Sequence, residues 1–126
     1  MTFSVGTSLW MAPEVMTGER YDDKADIFSF GVVLSELDLH ALPYARAKQE
    51  ILQSRGQQIT DATLLQRVAV GAISVEFSEA GPQSMRELGK ACVSMEPNKR
   101  PTAAEVLFKL QVVLSKEIPS DAGLLK

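Results

Sequence analysis

The chain has 126 residues, of which 45% are hydrophobic and 23% are charged, and its formal net charge is −3. This size and apolar content favour one domain with a buried core over a disordered chain, and the mildly acidic balance argues against a nucleic-acid partner or an anionic membrane surface. The longest nearly apolar stretch, 27–34, is far shorter than the roughly 18 residues of a membrane span, and residues 1–5 lack the pattern of a signal peptide. A single cysteine excludes an internal disulfide, so we expect a cytoplasmic location.

The first third of the chain predicts a loop and then a buried helix. Glycine and proline punctuate residues 1–23, which predicts an ordered loop with a short helical turn near 14–16. Residues 24–39 are apolar on nearly every side of a helix, as is typical of a helix in the middle of a domain. Asp26, in the first turn, suits the helix N-terminus through capping or through its charge.

Four more helices are predicted downstream. Residues 44–56 form the first of these. Thr60 and Asp61 offer an N-cap for the second, which carries apolar residues at helical spacing as far as Ala72. The third follows Pro82, where Met85, Leu88, Cys92 and Met95 are spaced as one apolar stripe.

The last helix begins at Thr102, which forms the capping-box pattern with Glu105. Residues 119–126 are expected to be a frayed tail. No strand-like alternation of apolar and polar residues occurs along the chain. We therefore predict a mainly α fold, with about five helices after an ordered loop and no substantial sheet.

Local chemistry alone indicates no catalytic centre. No two glycines form the G-x-G pattern of the common phosphate-binding loops. His40 and Cys92 are each the only residue of their type. We expect His40 to be a polar residue at a helix end and Cys92 to be a thiol in the core. The acidic cluster of Asp22, Asp23 and Asp26 lacks the glycine and distal glutamate of a calcium loop. We therefore expect no cofactor and no metal in this chain.

Four motifs in order carry a family resemblance. They are G-T-x-x-W-M-A-P-E at 6–14, A-D-I-F-S-F-G-V-V-L-S-E-L at 25–37, L-P-Y at 42–44 and C-V-S-M-E-P-N-K-R-P-T at 92–102. Together they resemble the C-terminal lobe of eukaryotic protein kinases, whose signature set includes Ala-Pro-Glu. The first motif is most similar to the tyrosine-kinase-like group of Ser/Thr kinases. The resemblance implies that residues 1–118 are a partial kinase domain with the helical fold of that lobe.

The resemblance implies structural roles for several motif residues. Ala12, Pro13 and Glu14 form the Ala-Pro-Glu motif. Glu14 and Arg100 match a family pair that forms a buried salt bridge, and the alternative is two exposed charges. Asp26 matches the aspartate that hydrogen-bonds the catalytic-loop backbone, with a plain helix cap as the alternative.

The apolar helix 24–39 carries two more matched positions. Val33 and Leu37 match the residues that anchor the hydrophobic spines of a kinase. The alternative, that they are ordinary core residues, is nearly the same prediction. In an intact lobe the catalytic-loop segment and the preceding helix cover this helix. Because both are missing from this sequence, we expect its apolar residues to be partly exposed.

Other matched residues face the substrate in the family. Thr7 matches the threonine that contacts the catalytic aspartate and lysine of Ser/Thr kinases, and its alternative is a small turn residue. Glu36 matches a position that can meet basic substrate residues, although a helix-surface charge is as good an interpretation. Thr2 and Ser4 fall where activation loops are phosphorylated. The pocket for the substrate residue after the acceptor would be shaped by Ser8, Leu9, Trp10 and Met11.

The resemblance stops short of the catalytic half. The glycine-rich loop, the strand lysine, H-R-D-x-x-x-x-N and D-F-G are all absent from this sequence. The resemblance thus implies a parent that transfers the γ-phosphoryl of Mg-ATP to protein Ser/Thr, and an isolated chain without that activity. Its implied partner is a protein substrate, a docking partner or the rest of the kinase domain.

The parent is either a cytoplasmic protein or the cytosolic part of a membrane receptor. Two alternatives to a truncated kinase stay open. One is a pseudokinase-like helical docking module. The other is a helical domain unrelated to kinases, which requires all four motifs to be coincidence.

Overall fold

Six α-helices build the chain in a computed structural model that describes residues 9–18 and 22–117. No strand occurs in those two ranges, so the predicted mainly α fold, with five helices after a loop that holds one helical turn, is confirmed. None of the helices in the described ranges is both long and apolar enough to cross a membrane. The elements are α1 (Pro13–Met16), α2 (Asp23–Leu39), α3 (Ala45–Arg55), α4 (Asp61–Ala69), α5 (Gln83–Cys92), a 3₁₀ turn (Pro97–Lys99) and α6 (Ala103–Glu117).

Two helices begin at the predicted caps. Before α4, the Thr60 hydroxyl accepts a hydrogen bond from the Thr63 N–H at 3.2 Å. Before α6, the Glu105 N–H donates to Thr102 Oγ1 at 3.1 Å and the Thr102 N–H donates to Glu105 Oε1 at 2.9 Å. These bonds satisfy N–H groups that the helix itself leaves without partners.

An acidic side chain caps the start of α2. The carboxylate of Asp22 accepts a hydrogen bond from the Lys24 N–H at 2.9 Å, so Asp22 is the N-cap. Asp26 lies within the first turn, where its charge favours the helix N-terminus. Of the two roles predicted for Asp26, capping belongs to Asp22 and the charge role agrees with its position.

The apolar stripe of α5 is one residue shorter than predicted. Leu88 and Cys92 are buried and Met85 packs beside them, but the helix ends at Cys92 and Met95 is 43% exposed. Pro97 favours an extended conformation at the residue before it, Glu96, so the helix cannot continue through this segment. Met95 therefore lies in a loop.

Three clusters of buried side chains form the core, and α2 contributes to two of them. One face of α2 packs on the Ala12 segment, and another packs on α5 and α6. The third cluster joins α4 to the front loop, which we define as residues 9–12 together with the short helix α1. The members are Ala12, Ala25, Phe28 and Val32 in the first cluster, Ile27, Leu88, Cys92 and Val106 in the second, and Leu9, Tyr44, Leu64 and Val68 in the third.

Polar side chains of α2 also hold the loop between α4 and α5. Ser35 Oγ donates to the Glu76 carbonyl at 2.7 Å, although Ser35 is buried. The Ser78 N–H donates to Asp38 Oδ2 at 2.5 Å. The central helix thus positions a loop about 40 residues away in sequence.

Gly31 allows α2 to pass close to the end of α5. A Cβ atom on Gly31 would lie 2.6 Å from Val93 Cγ1 and 2.8 Å from Cys92 Cβ. Both distances are far inside van der Waals contact, and Cys92 is fully buried. Only glycine fits this crossing without a shift of one helix.

We expect Gly31→Ala to lower the free energy of unfolding by about 1–3 kcal/mol because the added methyl group overpacks the crossing. In an open helix position the same change raises stability by roughly 0.5–1 kcal/mol. Urea denaturation of the two proteins measures the sign. Part of the loss should return in a Val93→Ala background, and a gain in stability for Gly31→Ala alone would contradict the close crossing.

Candidate functional site

A buried ion pair joins the front loop to the C-terminal third of the chain. Arg100 NH2 donates to Glu14 Oε1 at 2.8 Å, and Arg100 NH1 donates to Glu14 Oε2 at 2.7 Å. The two side chains are 0% and 8% exposed. This is a bidentate guanidinium–carboxylate pair, the geometry that favours arginine over lysine.

The other faces of the Arg100 guanidinium are also occupied. Its Nε donates to the Ser94 carbonyl and its NH1 to the Lys24 carbonyl, each at 2.8 Å. The guanidinium carbon lies 5.0 Å from the ring centroid of Phe28. One side chain therefore connects α1, α2 and the turn before α6.

The Glu14 carboxyl is ionised within this junction. Burial by itself would raise the pKa of Glu14, whereas the hydrogen bonds and the charge of Arg100 lower it, and the net pKa lies below the ordinary value. An acid whose pKa is lowered by folding stabilises the folded protein when the pH is above the pKa of the unfolded chain, here 4.5. This contribution is lost as the pH falls through the lowered pKa of the folded state.

We therefore expect the free energy of unfolding to fall as the pH is lowered through and below 4.5, because the unfolded chain binds the proton first. Urea midpoints measured at neutral pH and at steps below that value test this. The Glu14→Gln variant should show a shallower dependence over the same range. Equal slopes for the two proteins would contradict a lowered pKa at Glu14.

Trp10 in the front loop is fastened to α2 at two points. Its carbonyl accepts a hydrogen bond from Ser29 Oγ at 2.6 Å, and its indole Nε1 donates to Glu36 Oε1. Its neighbour Leu9 is 7% exposed and packs in the cluster of Tyr44. The structure thus brings together Trp10 and Glu36. The sequence patterns did not predict a role for Ser29. The only indication of one is that this serine lies within the second motif.

The opposite side of the front loop borders an apolar groove. Met11 forms one wall, and α1 and α4 form the others. The groove is open and has a volume of about 430 Å³. Sequence reasoning did not include α4 in the site. Its main lining residues are Met11, Met16, Ala62, Leu65, Ala69 and Val70.

Tyr44 supports the front loop from below. Its side chain is buried against Leu9 and Leu64, and its backbone is in the left-handed region with a φ of 62°. Its hydroxyl has no hydrogen-bond partner among the residues that the structure describes. Burial raises the pKa of this phenol far above its ordinary value.

We expect Tyr44→Phe to keep or increase the free energy of unfolding, by up to about 1 kcal/mol, because it removes a buried hydroxyl for which the described residues offer no partner. Tyr44→Ala is the matched contrast and should cost about 3–5 kcal/mol through the cavity it leaves. Chemical denaturation measures both changes. A clear loss of stability in Tyr44→Phe would mean that the hydroxyl is hydrogen-bonded.

Three matched positions lie on one outer stripe of α2. Asp26, Val33 and Leu37 recur at spacings of seven and four, which places them on one side of a helix. In the described part of the chain Val33 is 40% exposed and Leu37 is 67% exposed. The stripe is apolar and exposed at its C-terminal end, as expected for the 24–39 helix.

The remaining candidates divide into two groups. Thr2, Ser4, Thr7 and Ser8 lie outside the described residues. The thiol of Cys92 is buried, which raises its pKa to about 11 and makes it a poor nucleophile.

Comparison with known proteins places this arrangement in a family. The family profile described as "Protein kinase domain" matches residues 1–110. A probable serine/threonine-protein kinase of Dictyostelium discoideum is 32% identical over 113 residues, which cover 90% of this chain and 11% of that protein. The mitogen-activated protein kinase kinase MST7 of Pyricularia oryzae is 34% identical over 119 residues, 93% of this chain and 28% of MST7.

A tyrosine-protein kinase-like protein of Drosophila simulans, otk, is 32% identical over 113 residues, 88% of this chain and 9% of that protein. The chain thus spans between 9% and 28% of these curated relatives. The profile covers most of the chain, and the Glu14–Arg100 pair joins two of the four motifs in space. The chain therefore belongs to the protein kinase family and has the helical fold of part of the kinase C-terminal lobe.

Proposed function

We propose that this chain supplies the substrate side of a Ser/Thr protein kinase domain. The parent would transfer the γ-phosphoryl group of Mg-ATP to hydroxyl groups of a protein substrate. The observation that carries this proposal is the front loop, which Arg100 holds through Glu14 and α2 holds through Trp10. Thr7 supports Ser/Thr over Tyr as the acceptor class.

In this proposal the front loop positions the substrate and takes no part in bond breaking. Phosphoryl transfer depends on alignment and charge stabilisation, and alignment requires a rigid loop. The bidentate pair and the two bonds at Trp10 supply that rigidity. In this proposal, the part of the substrate that follows its acceptor residue binds to the surface formed by Leu9, Trp10 and Met11.

ATP and Mg²⁺ would be bound by other parts of the parent. In the described ranges no three His, Cys, Asp or Glu side chains come together as a metal site. The sequence also lacks the nucleotide-binding motifs. We therefore infer that the chain alone does not catalyse the transfer, and its buried single cysteine fits a cytoplasmic parent.

The outer stripe of α2 supports a role within a larger domain. We assign Val33 and Leu37 to contact with the catalytic-loop part of the parent. The same exposed stripe is the observation that favours the second candidate, a pseudokinase-like docking module. The two candidates differ in whether phosphate is transferred.

A chimera tests the proposal. Residues 1–110 of this chain replace the matching residues of MST7, and transfer of labelled phosphate to a protein substrate is measured with phosphoamino-acid analysis. We expect phosphoserine or phosphothreonine, and none from the same chimera with its D-F-G aspartate replaced by asparagine. A folded, ATP-binding chimera that transfers no phosphate would contradict the proposal and favour the docking module.

Calorimetry of the 126-residue chain tests the assignment of ATP to other parts of the parent. We expect no heat of specific Mg-ATP binding. Binding at micromolar affinity would overturn the assignment, because it would require a nucleotide site within this chain.

A further inference from the structure

The Glu36 carboxylate is already engaged within the chain. The indole N–H of Trp10 donates to its Oε1, and both side chains are half-buried. A hydrogen bond to an ionised acceptor is stronger and more directional than one between neutral groups. A basic substrate side chain would therefore have to share or displace this bond to reach Glu36.

A second residue of α2 fixes the main chain of the same tryptophan. Ser29 Oγ donates to the Trp10 carbonyl at 2.6 Å and lies 3.3 Å from the carbonyl of Ala25 in its own helix. Ser29 and Glu36 are seven residues apart, which places them on one face of α2 two turns from each other. The helix thus holds both the backbone and the side chain of Trp10.

Trp10 stands between the two other residues of the proposed substrate surface. Leu9 points into the cluster of Tyr44, whereas Met11 forms a wall of the apolar groove. The Trp10 side chain itself packs against two of the three core clusters. A change in the orientation of Trp10 would therefore be transmitted to both neighbours.

We propose that Glu36 is a positioning residue, which orients Trp10 and through it the Leu9–Met11 surface, instead of binding a basic substrate residue itself. The assignment of this surface to a substrate rests on the proposed function. The hydrogen-bonded couple of Glu36 and Trp10 is a feature of the chain alone. The two parts are tested separately.

The first test uses the fact that Trp10 is the only tryptophan. Its indole N–H gives a single, unambiguous signal in a proton–nitrogen correlation spectrum of the 126-residue chain. We expect Glu36→Gln to move this signal upfield and to speed its exchange with solvent about tenfold, because the neutral amide oxygen of glutamine is a weaker acceptor than the carboxylate.

Asp38→Asn is the matched control for the spectrum. Asp38 lies on the same helix, but its carboxylate accepts from the Ser78 N–H and not from Trp10. The indole signal should stay in place in this variant. An unchanged indole signal in a folded Glu36→Gln chain would overturn the positioning role. If Glu36→Gln does not fold, the Glu36→Asp variant, which keeps the charge but shortens the side chain, serves instead.

The second test uses the MST7 chimera and a matched pair of substrate peptides, one with an arginine near the acceptor and one with alanine in its place. Positioning predicts that Glu36→Gln lowers kcat/KM for both peptides by the same factor, with Asp38→Asn unchanged. A loss confined to the arginine peptide would overturn the proposal. A chimera inactive even with Glu36 intact would contradict the proposed function, and the spectrum would still decide the role of Glu36.

Discussion

Replacing Arg100 by alanine is expected to lower the free energy of unfolding by about 3–5 kcal/mol, because it leaves a buried carboxylate without its partner. Glu14 is 8% exposed and receives two hydrogen bonds from the lost guanidinium. The carbonyls of Ser94 and Lys24 lose a donor at the same time. The free energy of unfolding of a natural protein is about 5–15 kcal/mol in total. The variant should therefore unfold at a much lower urea concentration.

Arg46→Ala is the matched control for this change. Arg46 also forms an ion pair, with Glu76 at 3.1 Å, but the two side chains are 64% and 40% exposed. Solvent screens such a pair, and its loss should cost less than about 1 kcal/mol. Similar small losses in both variants would contradict the central place of Arg100. Arg100→Lys should restore little, because an ammonium group cannot form the bidentate contact.

Phe28→Ala should cost a similar amount, about 3–5 kcal/mol, for a different reason. Its ring is 2% exposed, packs with Ala25 and Val32, and lies beneath the Arg100 guanidinium. Its removal would leave a cavity in the cluster that holds α2 against the front loop. Differential scanning calorimetry and urea denaturation both measure the loss.

Phe108→Ala provides the comparison at an exposed site. Phe108 lies on α6 and is 64% exposed, so the same substitution removes little buried surface. We expect a change within about 0.5 kcal/mol. Equal effects of the two substitutions would mean that the Phe28 cluster is not packed as described.

Sequence patterns predicted the elements of the fold well where the cause is local. The Thr60 and Thr102 caps depend on residues three positions away, and the helical spacing of apolar residues depends on at most a few turns. At α2 the pattern allowed Asp26 to act by capping or by its charge, and Asp22, which has the same chemistry, is the residue that caps the helix. Local patterns cannot separate such neighbours.

The Glu14–Arg100 pair is a different case, since 86 positions separate the two residues. No local rule predicts a contact at that distance, and only the family resemblance of two motifs indicated it. The grouping of Ser29 with Glu36 around Trp10 had no such guide. Helical periodicity predicts which residues of α2 share a face, but it does not predict which loop passes over that face.

By itself, therefore, the sequence determined that the chain is helical, where its helices begin, and that it belongs with the protein kinases, because each of these depends on short patterns of residues. The tertiary structure alone decided that Gly31 marks a close crossing and that the Glu36 carboxylate holds Trp10. These features depend on how segments far apart in the chain meet, and periodicity within one helix does not specify its neighbours.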